Sequence, residues 1–402
     1  MREGGSRIAA GALGRLTLLW MAGISIRVTI LSVPPLLPTI HHALHLDEAA
    51  VGALTTLPVL LLGAAAIPGS LLIAHMGARR ALVAGLAAIG VTGALRGLGM
   101  SAGVLFPLTF LMGVGVAVCQ PALPSLVRQW LPARAGLATA VYSNGLLVGE
   151  IVAAAFTVPL LLGLVAGRWS VALALWSIPV LATAAALVLM TPHVRREEGT
   201  PRSAWWPDWH SGLTWKLGFI LGGASTAYFA ANTFIPDYLR ATHHPDLITA
   251  ALTSVNLCQL PVSFLVGGFP AWFIGRRWPV VAAGLITVVS AAGFLAGGAW
   301  VILFAGTLGF STAGVFVLLL ALPPMLAGKG DVHRLSAAMF TLSYACSFLG
   351  TFIGGAVWDA TGVPIAAFAP VGVAGIAIVL LVISLRFPSH VKGGVPQEQF
   401  AD

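Results

Sequence analysis

The chain contains 402 residues, of which 58% are hydrophobic and only 8% are charged, whereas soluble domains carry about a quarter charged residues. A water-soluble globular protein is therefore excluded, and the mean hydropathy of +0.95 indicates that most side chains face lipid or other helices. The formal net charge is +8, from 21 Lys and Arg against 13 Asp and Glu. Because almost all of these charges lie between apolar segments, they reflect membrane topology and predict no binding to nucleic acid.

Twelve apolar segments follow one another along the chain, each long enough to cross a hydrocarbon core of about 30 Å. The first begins near Leu13 and continues past any cleavage site of a secretory leader, so we interpret it as a span. The predicted spans cover residues 13–41, 47–74, 80–99, 102–128, 134–163, 169–190, 214–240, 246–273, 279–298, 300–326, 333–360 and 364–386. Prolines are expected to interrupt several of them, as hinges or as packing kinks: Pro34, Pro35, Pro38, Pro121, Pro124, Pro236, Pro261, Pro323 and Pro324.

The cations fall on one side of the membrane when the N-terminus is placed in the cytoplasm. Arg96, Arg168 and Arg240 then lie outside, Arg27 lies within the first span, and the remaining Lys and Arg lie inside. By the positive-inside rule, we expect an integral protein of a bacterial cytoplasmic membrane with both termini in the cytoplasm.

The longest polar interruption, residues 191–213, follows the sixth span and divides the twelve spans into two groups of six. It carries Trp205, Trp206 and Trp209 beside charged residues, which is typical either of a segment in the headgroup region or of a flexible linker. We therefore predict a six-helix bundle over 1–190, a cytoplasmic linker over 191–213, and a second six-helix bundle with a short cytoplasmic tail over 214–402.

An internal repeat supports this division. Gly77-Ala78-Arg79-Arg80 follows the second span, and Gly275-Arg276-Arg277 follows the eighth, at the same place in its half. Gly145 and Gly149 in the fifth span correspond to Gly350 and Gly354 in the eleventh, and small residues at this spacing allow helices to approach closely. Two parallel six-helix repeats are typical of one class of secondary transporter, with a substrate site near the membrane midplane.

Short motifs along most of the chain point to one family. They are Arg27 within the first span, Pro34-Pro35-Leu36-Leu37-Pro38, Leu54-Thr55-Thr56-Leu57-Pro58, Leu95-Arg96, Leu123-Pro124-Ser125-Leu126-Val127-Arg128, Gly167-Arg168-Trp169, Gln259 with Pro261, and Asp359-Ala360-Thr361-Gly362. On these residues the chain resembles the major facilitator superfamily, and within it the cyanate and 2-nitroimidazole transporter branch, often called CynX/NimT. The resemblance implies an all-α membrane protein with twelve transmembrane helices in two six-helix pseudo-repeats.

The superfamily signature between the second and third spans, Gly-x-x-x-Asp-Arg-x-Gly-Arg-Arg, is only partly present. Ser70, Ala74 and His75 replace its first Gly, its Asp and its first Arg. The final Gly and the two last arginines of the signature remain. We assign gating to these two arginines and to the pair that follows the eighth span: Arg79, Arg80, Arg276 and Arg277.

Two charged residues, Arg27 and Glu150, fall in the middle of predicted spans, where a charge costs at least about 2.5–3.5 kcal/mol. Both lie at similar depth from the cytoplasmic side, so they could meet. In one interpretation they form a buried structural ion pair. In the other, Arg27 offers its planar guanidinium to an anionic substrate, because guanidinium binds carboxylate-like anions in a bidentate manner.

Glu150 has two possible roles of its own. A carboxylate at this depth can carry a proton, since desolvation raises its pKa and a neighbouring Arg lowers it. It can also be a purely structural partner of Arg27. The preceding Gly145-x-x-x-Gly149 stands where drug and proton antiporters of the superfamily typically carry Gly-x-x-x-Gly-Pro, and the missing Pro argues against a drug antiporter.

Neutral polar residues are further candidates for substrate binding, because the resemblance places the first, fourth, seventh and tenth spans around the cavity. Any of them could instead hydrogen-bond between helices. They are Gln120, Tyr228, Asn232, Ser311 and Thr312.

The function expected from these features is secondary active transport of a small anion or weak acid, cyanate-like or a monocarboxylate, by alternating access, with proton coupling left open. The alternative is export of small neutral or cationic organic compounds, and a locked pair of Arg27 and Glu150 would favour it. Enzyme motifs are missing, and Cys119, Cys258 and Cys346 lie far apart without metal-site spacing. We expect no cofactor and no metal. The expected partners are a small-molecule substrate and membrane lipid, and the expected state is a monomer.

Overall fold

A computed structural model describes residues 2–46, 54, 57, 60–97, 101–191, 204–328 and 331–385. The secondary structure in these ranges is helical, without any strand. The helices before the predicted linker are α1 (Arg2–Leu31), α2 (Leu37–Leu44), α3 (Ala66–Met76), α4 (Ala78–Arg96), α5 (Ala102–Trp130), α6 (Ala135–Phe156), α7 (Trp169–Leu175) and α8 (Ser177–Met190).

The helices after the predicted linker are α9 (Gly212–Ala241), α10 (Ile248–Leu257), α11 (Leu260–Gly268), α12 (Pro270–Phe273), α13 (Arg277–Gly293), α14 (Trp300–Leu320), α15 (Pro323–Leu326), α16 (Val332–Thr361) and α17 (Ala369–Ile383). A π-helical segment, Thr157–Leu162, continues α6. Short 3-10 helices occupy Pro34–Leu36, Pro132–Arg134, Pro245–Leu247, Phe294–Ala296 and Pro364–Phe368.

Ten helical stretches of the described chain are long and apolar enough to cross a membrane, by length and composition. They match the predicted spans other than the second and the seventh. The seventh corresponds to α9, a helix of 30 residues that carries Lys216, Asp237 and Arg240 near its ends. Of the second span, α3 and residues 60–64 are helical, whereas most of residues 47–59 lie outside the described residues.

Several predicted spans are broken into shorter helices, mainly where a proline stands in the first turn after the break. The eighth span divides into α10, α11 and α12, with Pro261 and Pro270 in the first turn of the second and third pieces. Proline fits a first helical turn because its missing N–H has no intrahelical partner there. The tenth span divides before Pro323 in the same way. The sixth divides at Trp176, with Pro179 at the third residue of α8.

The described chain groups into two compact units. The first comprises Met1–Pro132, Val141–Pro207 and Ala327–Ala337, and the second comprises Ala133–Ala140, Asp208–Leu326 and Ala338–Asp402. The short segments at 133–140 and 327–337 therefore group with the unit that holds the other half of the sequence. The predicted boundary at 191–213 stays a prediction, and its residues 192–203 lie outside the described residues.

In the first unit, α4 packs along α5 and α8, and α1 packs on α8. A Cβ added to Gly85 of α4 would stand 2.9 Å from the carbonyl oxygen of Gly115 in α5, so the backbones of these two helices touch. A buried apolar cluster that includes Leu36, Leu105 and Trp169 fills one end of this unit.

In the second unit, α13 packs along α17 and α14, and α9 packs on α17 and α14. Its buried core is aromatic: Phe234, Tyr238, Phe294 and Phe368 belong to one cluster. The hydroxyl of Tyr238 donates a hydrogen bond of 2.8 Å to the carbonyl oxygen of Phe294, so the polar end of this side chain is satisfied.

Candidate functional site

Close packing of α1 against α6 positions the two charged side chains of the first unit. A Cβ added to Gly149 of α6 would lie 2.7 Å from the carbonyl oxygen of Ile24 and 3.2 Å from Cβ of Arg27. Gly23 and Gly145 also face the backbone of the opposite helix. Glycine at these positions removes the side chains that would otherwise hold the two helices apart.

Arg27 and Glu150 form an ion pair at this contact. The Nε atom of Arg27 lies 3.4 Å from Oε1 of Glu150, and the two side chains are 12% and 11% exposed. The prediction from depth that these residues could meet is therefore confirmed. Nearby, Nε1 of Trp20 donates a hydrogen bond of 2.9 Å to Oδ1 of Asn144, which also joins α1 to α6.

The distance between Nε of Arg27 and Oε1 of Glu150 is long for a charge-assisted hydrogen bond. Charge-assisted N–H to carboxylate hydrogen bonds are usually about 2.7–2.9 Å long, so 3.4 Å joins the charges without a short hydrogen bond between these two atoms. The other ion pairs of the described chain, Arg240 with Asp237 and Arg334 with Asp331, each link residues three apart and involve more exposed side chains. The Arg27 and Glu150 pair differs from both because it joins two helices within the apolar part of the fold.

The second unit contains a cluster of amide side chains on α9 and α10, with one residue immediately before α11. The hydroxyl of Tyr228 donates to Oδ1 of Asn256 at 2.8 Å, and Nδ2 of Asn256 donates to Oδ1 of Asn232 at 3.1 Å. Asn232 donates in turn to the carbonyl oxygen of Tyr228 at 2.9 Å, and Nε2 of Gln259 donates to Oδ1 of Asn256 at 3.3 Å. We call these four residues, Tyr228, Asn232, Asn256 and Gln259, the amide cluster.

Asn256 is the centre of the amide cluster, and sequence reasoning did not select it. Its Nδ2 also donates to the carbonyl oxygen of Leu252 at 2.8 Å, so both amide N–H groups and the amide oxygen are engaged. The available signal was its i, i+3 spacing to Gln259 in an apolar segment, since residues three apart share a helix face. Tyr228, Asn232 and Asn256 are half-buried rather than fully enclosed.

The other neutral candidates lie in packed helix contacts. Ser311 Oγ shares a buried hydrogen bond of 2.9 Å with Thr287 Oγ1 of α13, and Thr312 Oγ1 donates to the carbonyl oxygen of Leu308 at 2.9 Å. Gln120 is buried in α5, directly before Pro121. The structure does not bring Ser311 or Thr312 into the hydrogen bonds of the amide cluster, and the binding roles of all three residues stay predictions.

The four arginines assigned to gating have different surroundings. Arg79 caps the end of α8: its Nε donates to Thr191 Oγ1 at 2.5 Å, and its Nη2 donates to the carbonyl oxygens of Leu187 and Val188 at 3.0 and 2.9 Å. A cation at this position satisfies the last carbonyls of a helix. Arg80, Arg276 and Arg277 are exposed. Their gating role stays a prediction.

Metal ligands do not cluster in the part of the chain that the structure describes, where no group of three or more His, Cys, Asp or Glu side chains converges. The described cysteines are free thiols: Cys119 is buried, and Cys258 and Cys346 are partly buried.

The sequence profile of the Major Facilitator Superfamily matches residues 19–351. The chain belongs to this superfamily. It therefore has the all-α major facilitator fold of an integral membrane transporter, and the ten spans found among the described helices agree with ten of the predicted spans. FucP, a transporter of this superfamily crystallised in the outward conformation, superposes with a TM-score of 0.74 at 16% identity, over 93% of this chain and 99% of FucP.

Two relatives from Escherichia coli (strain K12) extend over most of the chain. The cyanate transport protein CynX is 27% identical over 389 residues, which cover 92% of this chain and 96% of CynX. The 2-nitroimidazole transporter is 27% identical over 354 residues, which cover 85% of this chain and 87% of that protein. The resemblance to this branch of the superfamily is confirmed.

Proposed function

We propose that this superfamily member is a secondary active transporter for a small anion or weak acid, cyanate-like or a monocarboxylate, in a bacterial cytoplasmic membrane. The observation that supports this most is the pair of charges on α1 and α6, with Arg27 Nε 3.4 Å from Glu150 Oε1 and little exposure of either side chain. A charge kept at bilayer depth generally serves a substrate or a coupling ion. The relation to a protein named for cyanate transport is consistent with an anionic substrate.

Arg27 is the proposed substrate contact. Its guanidinium stays charged at all relevant pH values and presents N–H groups in one plane, which suits an anion with two acceptor atoms. Because the distance between Arg27 Nε and Glu150 Oε1 is longer than a charge-assisted hydrogen bond, an anion that forms a short hydrogen bond to Nε can compete with this contact.

Glu150 is the proposed proton carrier. When an anion occupies Arg27, Glu150 loses its compensating charge in an environment that is costly for an ionised carboxylate. Protonation of Glu150 removes this cost. One anion and one proton then enter together, and the pair with its cargo carries the same net charge as the empty pair. This balance supports electroneutral symport of one proton with one monovalent anion.

A second candidate function is export of small neutral or cationic organic compounds, such as nitroimidazoles. The ion pair itself favours it, because Arg27 and Glu150 together carry no net positive charge. The amide cluster adds neutral hydrogen-bonding groups that suit an uncharged polar ligand. One of the E. coli relatives is named for 2-nitroimidazole.

Uptake into proteoliposomes distinguishes the two functions. Purified protein is reconstituted with an inward proton gradient, and uptake of labelled cyanate, labelled acetate and labelled 2-nitroimidazole is compared. We expect the proton gradient to drive accumulation of an anion. When the gradient is collapsed, only exchange of the anion across the membrane should remain. Accumulation of 2-nitroimidazole without any anion uptake would overturn the anion proposal and support the second function.

We further propose that both termini are cytoplasmic and that the protein is a monomer. The first rests on the placement of Lys and Arg in the chain. The second is usual for this superfamily, and mass measurement in nanodiscs tests it.

A further inference from the structure

Arg96, at the last turn of α4, is a fully buried cation in the first unit. Its side chain is 0% exposed, and its Nη2 donates a hydrogen bond of 3.1 Å to the carbonyl oxygen of Thr29. Among the described residues, its Nε and Nη1 atoms have no hydrogen-bond partner, and no described acidic residue forms an ion pair with it. A guanidinium carries five N–H donors, so most of its hydrogen-bonding capacity is unused.

Two buried hydroxyl groups without a described partner flank the same helix. Thr29 Oγ1 and Ser177 Oγ are buried and unsatisfied within the described part of the chain. A Cβ added to Gly93 of α4 would lie 2.5 Å from Ser177 Oγ and 4.0 Å from Thr29 Cγ2. Gly93 precedes Arg96 by three residues and therefore lies on the same face of the helix. Arg96, Thr29 and Ser177 thus belong to one contact between α1, α4 and α8, Arg96 through its hydrogen bond to Thr29 and Ser177 through Gly93.

The combination of groups indicates which chemistry would satisfy them. Buried polar groups in native proteins are nearly always satisfied by protein or by a bound molecule. Water could accept the free hydrogen bonds, but it would leave the positive charge uncompensated, at a cost of several kcal/mol for an ion in a low-dielectric region. A small anion satisfies the guanidinium N–H groups, accepts hydrogen bonds from both hydroxyls and neutralises the charge.

We propose that Arg96, Thr29 and Ser177 form a binding site for a small monovalent inorganic anion, with chloride as the probe. The site is separate from the pair of Arg27 and Glu150: Arg27 and Thr29 are two residues apart on α1 and face different sides of the helix. Arg96 ends a helix of 19 residues, about 28 Å long, and so lies near one edge of the bilayer core. The anion at Arg96 stabilises the contact of α4 with α1 and α8 and is not itself transported.

The first test measures thermal stability of the purified full chain in chloride and in gluconate at constant ionic strength. We expect chloride to raise the melting temperature by at least about 2 °C, because a ligand that binds the native state stabilises it. Arg96→Met should lose this dependence. Arg80→Met removes the same charge from an exposed position and should keep it. A wild-type melting temperature that does not respond to chloride would overturn the proposal.

A second variant keeps the test decisive if Arg96→Met does not fold. The double variant Thr29→Val, Ser177→Ala retains the guanidinium and removes both hydroxyl donors, so the chloride concentration for half the maximal shift should rise roughly tenfold. An unchanged concentration contradicts the site.

Further variants distinguish an anion at Arg96 from an anion at Arg27 and from a carboxylate partner within the chain. Arg27→Met should abolish anion uptake and leave the chloride shift intact. Loss of the shift in Arg27→Met, with the shift retained in Arg96→Met, would place the anion at Arg27 and refute the proposal.

Asp47→Asn and Glu48→Gln alter carboxylates outside the described residues. If either abolishes the chloride response and destabilises the protein as much as Arg96→Met, a carboxylate of the chain compensates Arg96 and the anion site does not exist.

Discussion

Gly149 lies directly against the backbone of Ile24, so that an added methyl group would stand 2.7 Å from the Ile24 carbonyl oxygen. Real Cβ atoms do not approach backbone oxygen this closely, so Gly149→Ala must push α6 away from α1. We expect a loss of about 1–3 kcal/mol in stability, as for overpacking in a core. Because Glu150 is the next residue, transport should also fall, and thermal unfolding together with uptake measures both effects.

Gly163→Ala is the matched control for this substitution. Gly163 is also helical and has no heavy atom within 4 Å of an added Cβ. Alanine has the higher helix propensity, so this variant should be as stable as the wild type or slightly more stable. Equal behaviour of the two variants would show that the contact of α1 with α6 does not depend on glycine.

The predicted orientation is testable with single cysteines at His75 and His243, in a background where Cys119, Cys258 and Cys346 are replaced. Both histidines are exposed in the structure, and the positive-inside rule places them on opposite sides of the membrane. We expect an impermeant thiol reagent to label His243→Cys in intact cells and His75→Cys only after permeabilisation. Labelling of both positions from outside would refute the twelve-span orientation.

The charged pair could be predicted from the sequence because a charge inside a span is costly enough to need a partner. Arg27 and Glu150 are the two charged residues in the middle of predicted spans, and their similar depth predicts that they could meet. The spacing of Gly145 and Gly149 predicted a close helix contact, but it did not identify α1 as the partner of α6. The length of the contact could not be predicted, since it depends on where two helices settle to within a fraction of an ångström.

The hydrogen-bond partners of the neutral polar residues were harder to predict than the charged pair, because hydroxyl and amide side chains can bond either to the backbone of their own helix or to a neighbouring helix. Thr312 donates to the carbonyl oxygen of Leu308 in its own helix, whereas Ser311 shares a hydrogen bond with Thr287 of α13. Which partner is used depends on the rotation of each helix about its axis, and the composition does not reveal it. Asn256 was missed for the related reason that one amide in an apolar segment costs far less than a charge. Breaks inside spans were predicted only in part: Pro261 and Pro323 stand at breaks, whereas Pro121, Pro124 and Pro236 lie inside continuous helices.

The amide cluster should affect substrate recognition more than stability. Asn256→Leu removes the acceptor for Tyr228 and Gln259 and the donor to Asn232. If the cluster contacts substrate, KM should rise about 5-fold or more, since a hydrogen bond contributes about 0.5–1.5 kcal/mol. The control Thr307→Val removes a hydrogen bond to Ser290 that joins α13 and α14. It should cost similar stability and leave KM unchanged.

A KM that changes equally in Asn256→Leu and Thr307→Val would contradict recognition by the amide cluster. The effect would then come from general loosening of the second unit. Tyr228→Phe provides a milder comparison because it removes one donor and keeps the ring.

Arg27 should be required for anion binding, and lysine at this position should not restore the full affinity. Arg27→Lys keeps the positive charge but presents a point ammonium, which loses bidentate geometry, so affinity for the transported anion should fall at least about 10-fold. Arg27→Ala should abolish uptake. A folded Ala variant with normal affinity, measured by ligand-dependent thermal stability, would refute the assignment of Arg27 as the substrate contact.

Glu150→Gln separates coupling from structure. Glutamine keeps the shape of the side chain and removes the group that titrates, so a proton-coupled carrier should lose accumulation driven by a pH gradient and retain exchange of substrate. If Glu150 is instead a structural partner only, the same variant leaves Arg27 as an uncompensated buried charge. Stability should then fall by about 3–5 kcal/mol. Melting temperature and gradient-driven uptake, measured on one preparation, distinguish these outcomes.

The double variant Arg27→Met, Glu150→Gln completes the comparison. Both charges are removed together, so no buried charge is left uncompensated. The double variant should therefore be at least as stable as Glu150→Gln alone, because apolar replacement of a buried ion pair is often neutral or stabilising. Transport of anions should remain absent, since no cation is left to bind them. A coupling energy near zero between the two substitutions would show that the 3.4 Å contact contributes nothing to the fold. Normal gradient-driven uptake by Glu150→Gln would eliminate the proton-carrier role as well.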